Sequence, residues 1–84
     1  MILAWNSRAW EDYLFWQKHD RKIVNRINTL LQEITRSPLD GTGKPEHLKN
    51  NLAGYHARRI TDEHRLIYKV FNVRILIIQC RFYY

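Results

Sequence analysis

The chain has 84 residues, with 14 lysines and arginines against 8 acidic residues, which gives a formal net charge of +6. This length is too short for two ordinary domains of roughly 100–150 residues each, so one domain spanning residues 1–84 is expected. The 45% of hydrophobic and 13% of aromatic residues exclude a disordered basic tail. The excess of positive charge favours a polyanionic partner, because each neutralised phosphate releases condensed counterions.

The first half of the chain predicts one short strand followed by two helices. The apolar run 2–5 favours a strand, and Asn6 or Ser7 is a suitable N-cap for a helix that continues to about residue 20. Asp20 suits the N-cap of a second helix, whose apolar residues recur at helical spacing. These residues are Ile23, Ile27, Leu30, Leu31 and Ile34. Pro38 ends this helix, since proline disfavours the helical conformation of the residue before it.

The second half predicts a loop and then an antiparallel meander. Residues 38–47 are rich in turn formers, and three strands are expected after them, over residues 55–61, 65–71 and 75–82. The predicted fold class is therefore α+β, a small single domain with two N-terminal helices packed on an antiparallel sheet. The expected core consists of Trp10, Leu14, Ile23, Ile27, Leu30, Ile34, Leu66, Tyr68, Ile75, Ile77 and Cys80.

Several kinds of chemistry lack a motif in this chain. The four histidines and the single cysteine have no CxxC, HxxxH or HExxH spacing, so no metal is expected. Cys80 falls in an apolar strand and is predicted to be a core residue rather than a nucleophile. Gly41-Thr-Gly-Lys44 lacks the spacing of a P-loop. The apolar start stops at Asn6, too early for a signal peptide or a membrane span, so a cytoplasmic protein without membrane contact is expected.

Basic and aromatic residues are concentrated on the predicted meander and at its end. Whether Arg59 and Arg65 face the same side depends on the turn around residues 62–63, and the sequence does not fix that register. Such a set suits RNA, because arginine and lysine hold phosphates while aromatic rings stack on unpaired bases. A solvated outer face of the sheet explains the same residues equally well.

Four stretches of the chain are similar to those of one known family. They are Gly41-Thr-Gly-Lys-Pro-Glu-His-Leu-Lys49, Asn51-Leu-Ala-Gly-Tyr55, Arg58-Arg-Ile-Thr-Asp-Glu-His-Arg-Leu66 with Tyr68, and the ending Cys80-Arg-Phe-Tyr-Tyr84. Together they resemble the YoeB/Txe toxins of bacterial toxin–antitoxin pairs, which belong to the RelE-like superfamily. The likeness extends over essentially the whole chain, and it implies a compact, microbial-ribonuclease-like fold.

The resemblance also implies an activity and a set of site residues. It implies cleavage of messenger RNA in the ribosomal A site, without metal or other cofactor, by attack of the ribose 2′-OH on the adjacent phosphate. Glu46 matches the family's general base, Arg65 its phosphate-binding arginine and Tyr84 its aromatic C-terminus. The residues predicted to hold the RNA are Lys49 and Arg59, which match the family, and Lys44, Arg58 and Arg81, which are further basic candidates.

The partners implied by the resemblance are an antitoxin and the translation machinery. A cognate antitoxin of the YefM type would fold a disordered segment over the toxin, and the net charge of +6 suits an acidic partner. The 70S ribosome and its messenger RNA are the targets. The family also implies a homodimer, and contact with operator DNA only through the antitoxin complex.

One position departs from the family pattern. The family usually ends in Arg-Tyr-His-Tyr, and that histidine is its proposed general acid, whereas this chain has Tyr83. A tyrosine hydroxyl ordinarily has a pKa of about 10, against about 6.5 for histidine, so it gives up its proton less readily. Three explanations stay open: Tyr83 serves as the acid, a histidine such as His56 replaces it, or the chain is weakened or inactive.

Three functions are therefore weighed. The first is a ribosome-dependent messenger RNA endoribonuclease with retained but modified activity. The alternative is an inhibitor that occupies the A site and blocks translation with weak or no cleavage, because Tyr83 replaces the expected histidine. The third is an interaction protein whose basic face only recruits a partner or operator DNA.

Overall fold

Two helices lie on one face of a five-stranded sheet, which confirms the predicted α+β class. The computed structural model describes all 84 residues. In chain order the elements are β1 (Ile2–Trp5), α1 (Ser7–His19), α2 (Arg21–Arg36), β2 (Glu46–His47), a 3₁₀ turn (Asn50–Leu52), β3 (His56–Arg59), β4 (Arg65–Val70) and β5 (Arg74–Gln79). Neither helix has the length and hydropathy that crossing a membrane requires.

The sheet is mixed, with strand order β1-β5-β4-β3-β2. β3, β4 and β5 form the predicted antiparallel meander, and the short β2 adds to it antiparallel to β3. The prediction of a wholly antiparallel sheet is wrong for one strand. β1 runs parallel to β5 and pairs Leu3 with Ile75. The two helices connect β1, at one edge of the sheet, to β2 at the other edge, and the meander then returns toward β1. The sequence does not distinguish parallel from antiparallel pairing of β1, because a short apolar run of four residues fits either direction.

Side-chain caps begin both helices where the sequence predicts them. Asn6 accepts a hydrogen bond from the backbone N–H of Ala9 at 2.8 Å, which identifies Asn6 rather than Ser7 as the N-cap. Asp20 accepts from two backbone N–H groups in the first turn of α2, at 3.1 and 3.3 Å. These amides have no partner within their helix, so the caps stabilise both starts. α2 ends at Arg36, shortly before the proline.

The core lies between the helices and the sheet. Core predictions confirmed by burial are Ile27, Leu30, Ile34, Leu66, Tyr68, Ile75, Ile77 and Cys80, and the partly buried Ile23 packs against them. The predictions for Trp10 and Leu14 are wrong, since these side chains are 45% and 43% exposed. α1 instead buries Ala9, Asp12 and Trp16, which share one face of the helix by their spacing.

The last strand is shorter than predicted. β5 ends at Gln79, and the chain then turns at Phe82, which has a φ of 70°. Two side chains of α1 hold the start of this C-terminal tail: Trp16 Nε1 donates to the carbonyl of Cys80 at 2.8 Å, and Asp12 Oδ2 accepts from the Cys80 N–H at 3.1 Å. The tail therefore leaves the sheet as an anchored, irregular segment rather than continuing as a strand.

Candidate functional site

An open cleft of about 360 Å³ lies where the loop before β2 and the C-terminal tail meet β3 and β4. Its lining includes six of the predicted site residues, namely Lys44, Glu46, Arg58, Arg59, Arg65 and Tyr83. Four of these side chains are cationic and one is a carboxylate. The cleft therefore combines a positive field with a single acidic group, which suits a bound phosphate ester.

The strand register places the half-buried Arg59 beside the buried Arg65. Arg59 on β3 lies directly opposite Arg65 on β4, so their side chains are on the same face of the sheet. Nη1 of Arg65 donates to the carbonyls of three residues in the β3–β4 turn, at 2.6, 3.2 and 3.1 Å. Its Nε and Nη2 groups make no hydrogen bond within the chain. Like charges directly opposite each other are unfavourable, and an anion between them would relieve that repulsion.

The carboxylate of Glu46 is held by the last residue of the chain. The Tyr84 hydroxyl donates to Oε1 of Glu46 at 2.5 Å, while Oε2 has no partner. This hydrogen bond is the main reason that the pKa of Tyr84 is raised above its ordinary value, and partial burial adds to it. A phenol that keeps its proton remains a donor, so the contact orients the carboxylate over the whole neutral range.

The Tyr83 ring packs against both Arg65 and Tyr84. The guanidinium carbon of Arg65 lies 4.3 Å from the centroid of the Tyr83 ring. The Tyr84 ring stacks on Tyr83, with centroids 4.7 Å apart and planes inclined by 27°. Cation–π contact and aromatic stacking both restrict the ring, so the Tyr83 hydroxyl is carried by a positioned side chain.

Two residues that sequence reasoning missed hold the tail in place. The N–H of Phe82 donates to Nδ1 of His64 at 2.8 Å, and the N–H of Arg65 donates to the Phe82 carbonyl at 2.9 Å. The Gln79 side-chain amide donates to the carbonyls of Phe82 and Tyr83, at 3.2 and 2.5 Å. His64 stands beside Arg65 in the EHRL stretch, which was the signal available in the sequence. Gln79 gave no comparable signal.

Arg58 also lines the cleft but is fully buried, and its predicted contact with RNA stays a prediction. Alternation along β3 directs its side chain to the opposite face from Arg59. Its guanidinium donates to the carbonyls of Ser37 (2.7 Å), Asp40 (2.6 Å) and Thr42 (3.3 Å) and to the Tyr68 hydroxyl (3.2 Å), and it pairs with Glu33 at 3.5 Å. Arg58 therefore fixes the loop that leads into the cleft.

The close approach of this loop to β3 requires Gly43. The residue has a φ of 90°, and its carbonyl accepts from the N–H of Arg59 at 2.6 Å. An added Cβ would lie 3.1 Å from the Arg59 carbonyl oxygen and 3.2 Å from the Cβ of Arg58. The next residue, Lys44, also has a positive φ of 51°. A side chain at position 43 would therefore displace the segment that carries Lys44 and Glu46.

A family model described as "YoeB-like toxin of bacterial type II toxin-antitoxin system" matches residues 5–84. The chain belongs to the YoeB toxin family. Toxin YoeB of Escherichia coli strain K12 is 50% identical over 84 residues, which cover all of both chains. These matches confirm the resemblance that the four sequence stretches predict.

Solved structures of YoeB toxins share the fold over the full chain. The YoeB/ParE toxin from Agrobacterium tumefaciens superimposes with a TM-score of 0.98, at 49% identity and full coverage of both chains. The Staphylococcus aureus toxin, solved as a YoeB dimer, gives a TM-score of 0.93 at 46% identity, with 100% of this chain and 98% of that chain covered. It is also known in a heterotetrameric YoeB-YefM toxin-antitoxin complex, with a TM-score of 0.92, 46% identity and the same coverage.

Two residues predicted to hold RNA lie outside the first cleft of this YoeB-family chain. Lys49 lines a second cleft of about 490 Å³, which also includes Glu46 and Tyr84. Arg81 lies against α1, with its guanidinium carbon 3.5 Å from the centroid of the Phe15 ring, and it lines neither cleft. The basic residues of the prediction are therefore distributed over two adjoining clefts, one buried position and one separate surface.

His56 lies away from the lining of the first cleft. It is nearly buried beside His47 and Tyr68, with ring centroids 4.3 and 5.5 Å away. Burial, with smaller contributions from the positive charges of His47 and Arg58, lowers the pKa of His56. An imidazole that is neutral at neutral pH is a poor proton donor, so the geometry disfavours His56 as the substitute for the family histidine.

Proposed function

We propose that this chain is an endoribonuclease that cleaves messenger RNA in the ribosomal A site. The observation that carries the proposal is the Glu46–Tyr84 hydrogen bond at a cleft lined by Lys44, Arg59 and Arg65. Intramolecular transesterification needs a base for the 2′-OH, cations for the developing charge on the phosphorus, and an acid for the 5′-oxygen. The cleft offers a candidate for each role.

Glu46 is the proposed general base. Its Oε2 is free to take the proton of the ribose 2′-OH, while the Tyr84 hydroxyl holds Oε1. The deprotonated oxygen attacks the adjacent phosphorus and displaces the 5′-oxygen of the next nucleotide. The bond from the 2′-oxygen to the phosphorus forms as the bond to the 5′-oxygen breaks. The products are a 2′,3′-cyclic phosphate and a free 5′-hydroxyl end, so the reaction consumes no water molecule.

Arg65 and Arg59 are the proposed partners of the phosphate. The unpaired Nε and Nη2 groups of Arg65 match the fork geometry by which arginine binds phosphate oxygens in pairs. Lys44 adds a third positive charge in the same cleft. Fixed cations aimed at the developing charge supply the stabilisation that a metal ion supplies in other nucleases, so we propose a metal-independent reaction.

Tyr83 is the proposed proton donor to the leaving oxygen. Its ring lines the cleft against Arg65, and its hydroxyl replaces the imidazole of the family pattern. General acid catalysis typically contributes about 10²–10⁴-fold, and an ordinary phenol is a weaker acid than imidazolium. We therefore propose reduced activity. The same residue supports the alternative, in which the chain occupies the A site and blocks translation with weak or no cleavage.

The proposed partners are a YefM-type antitoxin, the 70S ribosome with its messenger RNA, and a second copy of the chain. The Staphylococcus aureus relative is known with YefM and as a dimer. The net charge of +6 supports both an acidic antitoxin and ribosomal RNA as partners, and exposed apolar side chains of α1, Trp10 and Leu14, offer a surface for a dimer. Operator DNA would be reached only through the antitoxin complex. Action on ribosomes places the proposed activity in the cytoplasm.

A reconstituted translation reaction tests the proposal, with toe-printing and primer extension on the same message. The set contains the wild-type chain, Tyr83→His, Tyr83→Phe and Glu46→Gln. We expect the wild type to cut at the A-site codon, Tyr83→His to cut faster, and the other two to lose at least about a hundredfold in rate. Lys22→Gln, which removes an exposed charge on α2, is the matched control.

The remaining outcomes separate the rival functions. Stalled ribosomes with intact message, insensitive to Glu46→Gln, would favour the A-site-binding inhibitor. Cutting only by Tyr83→His would mean that the RNA site is complete except for its acid. Unimpaired translation with every variant would reject both and leave the interaction protein.

A further inference from the structure

The second cleft shares the carboxylate of the first. It is formed by residues 46–52 together with Tyr84, and its volume of about 490 Å³ lies within the range of small-ligand sites, about 300–1,000 Å³. Glu46 lines both clefts, whereas Tyr83 lines only the first and Tyr84 only the second. The Glu46–Tyr84 hydrogen bond therefore lies at the junction between two adjoining spaces.

The backbone of the second cleft is well fixed. The N–H of Leu52 donates to the carbonyl of Lys49 at 3.1 Å, and the N–H of Leu48 donates to the carbonyl of Tyr55 at 3.0 Å. Leu48 is buried, so the segment is anchored to the sheet from below. Asn50 adopts a φ of 59°, a left-handed conformation that asparagine tolerates better than most residues. The cleft is thus a preformed feature of the fold.

The two clefts differ in their chemistry. The first has Lys44, Arg59 and Arg65, which suit a phosphate. The second has one cation, Lys49, and two exposed side-chain amides, those of Asn50 and Asn51, which make no hydrogen bond within the chain. An amide presents a donor and an acceptor side by side, which is the pattern found on the edges of nucleobases.

We propose that the second cleft binds a nucleobase and that Asn50 and Asn51 read its edge. The inference rests on the proposed function. The attacking 2′-OH belongs to the nucleotide on the 5′ side of the scissile phosphate, and Glu46 must face that hydroxyl. With the phosphate in the first cleft, the base of this nucleotide extends past Glu46 into the second. Single-stranded RNA is read in this way, by hydrogen bonds to base edges combined with stacking on aromatic rings such as Tyr84.

The test measures base preference at one nucleotide. Ribosomes are stalled with an empty A site on messages that differ only in the nucleotide 5′ to the cut, and single-turnover cleavage rates are compared for the four bases. The variants are Asn51→Ala and Asn50→Gly, since glycine keeps the left-handed backbone while removing the amide. Asn25→Ala, on the exposed face of α2, is the matched control.

We expect the ratio between the best and the worst base to fall about tenfold in Asn51→Ala and in Asn50→Gly, because a good pairing of an amide with a base edge carries this order of discrimination. The rate on the worst base and the melting temperature stay as in the control. An unchanged ratio in both variants, with cleavage intact, overturns the base-reading role while leaving the proposed function in place.

A binding measurement covers the case in which the wild type does not cut. The ¹⁵N-labelled protein is titrated with a trinucleotide whose central ribose is 2′-deoxy and therefore resists cleavage. Shifts of the Asn50 and Asn51 side-chain amide signals, lost from the corresponding variants, support the site independently of catalysis. Shifts confined to Lys44, Arg59 and Arg65 overturn it.

Discussion

The hydroxyl of Tyr84 donates a hydrogen bond to Oε1 of Glu46, and this contact joins the last residue of the chain to the two-residue strand β2 across 38 positions of sequence. Neither residue could be oriented by its own element, because β2 is short and the tail has no regular structure. The carboxylate depends instead on the anchors of the tail, His64 and Gln79, which hold Phe82 and Tyr83. The orientation of the proposed base is therefore a property of the C-terminus.

Removing this hydrogen bond should affect catalysis more than stability. Tyr84→Phe keeps the ring and its stacking on Tyr83 but frees the carboxylate of Glu46. We expect kcat to fall about 10–100-fold, with KM changed less than about threefold, because misplacing the proposed general base would raise the barrier without weakening binding of the phosphate. Steady-state cleavage of stalled ribosomal complexes measures both constants.

Tyr13→Phe is the matched control for that variant. It also loses an exposed tyrosine hydrogen bond, to Oδ1 of Asn28 at 2.6 Å, but on the helices rather than at the cleft. Both variants should lose about 1 kcal/mol or less in the free energy of unfolding. Equal kcat values for the two variants would show that the contact between Tyr84 and Glu46 has no catalytic role.

The same substitution at Arg58 and at Arg59, which are neighbours on β3, should have very different effects on the free energy of unfolding. Arg58→Met leaves the carbonyls of Ser37, Asp40 and Thr42 without their donor, and removing one partner of a buried charged cluster costs about 3–5 kcal/mol. Arg59→Met removes only a partly exposed ion pair with Asp62, worth about 1 kcal/mol or less. Urea unfolding measures the difference.

Cleavage by the same two variants gives the complementary result. Arg59→Met should stay folded and lose cleavage, whereas Arg58→Met should lose activity in proportion to its loss of folded protein. Assays at 10 °C in the presence of a stabilising osmolyte separate these effects. Full activity of folded Arg59→Met, or a normal unfolding curve for Arg58→Met, would reverse the assignment of the two roles.

The sequence predicts where the helices and strands of this fold lie better than it predicts which face of each element is buried. The apolar spacing of α2, the caps at Asn6 and Asp20 and the three-strand meander all follow from local rules, and all are confirmed. The buried face of α1 could not be predicted, because it includes Asp12, whose carboxylate is tolerated there by hydrogen bonding to the Cys80 N–H. Aromatic Trp10 was the better core candidate by hydrophobicity alone.

Several residues that line the first cleft were proposed as site residues from the sequence, but their geometry could not be predicted. Similarity to the family identified Glu46 and Arg65, yet the pairing of Arg59 with Arg65 depended on the register of the β3–β4 turn. The burial of Arg58 depends on hydrogen bonds to backbone carbonyls of the loop after α2, and no sequence motif predicts these hydrogen bonds. The geometry of the site therefore depends on contacts between segments that are distant in sequence, and local sequence patterns do not predict such contacts.

The buried carboxylate of Asp12 should make stability depend on pH in the acidic range. Burial raises the pKa of Asp12, against the opposing effects of the Cys80 N–H and of the charges of Arg8 and Arg81. Because the folded pKa lies above the unfolded one, this group's contribution to stability is fully present below about pH 4 and is lost as pH rises through the folded pKa. At neutral pH the ionised carboxylate is thus a cost to the fold.

Asp12→Asn tests this dependence, because the amide oxygen can still accept from the Cys80 N–H. Relative to the wild type, the variant should be more stable at pH 7 than at pH 3.5, and the difference should shrink steadily as pH falls. Urea unfolding at a series of pH values measures it. A difference that is independent of pH would mean that Asp12 has the same pKa in the folded and unfolded chain.

The thiol of Cys80 should be inert in the folded protein. It is fully buried, and burial, with a smaller contribution from the negative charge of Asp12, raises its pKa to about 12. Thiolate is the reactive species, so both access and ionisation oppose modification. At pH 8 we expect reaction with a disulfide reagent to be at least about a hundredfold slower in the folded chain than in guanidinium, and to follow transient unfolding.

An exposed cysteine provides the reference for that rate. Asn25→Cys in a Cys80→Ala background places a thiol on the outer face of α2, where it should react at the rate of the unfolded chain. Destabilising the wild type with low concentrations of urea should accelerate the reaction of Cys80 but not that of the reference. Rapid modification of Cys80 without urea would mean that the C-terminal tail, and with it the Tyr84–Glu46 contact, opens independently of global unfolding.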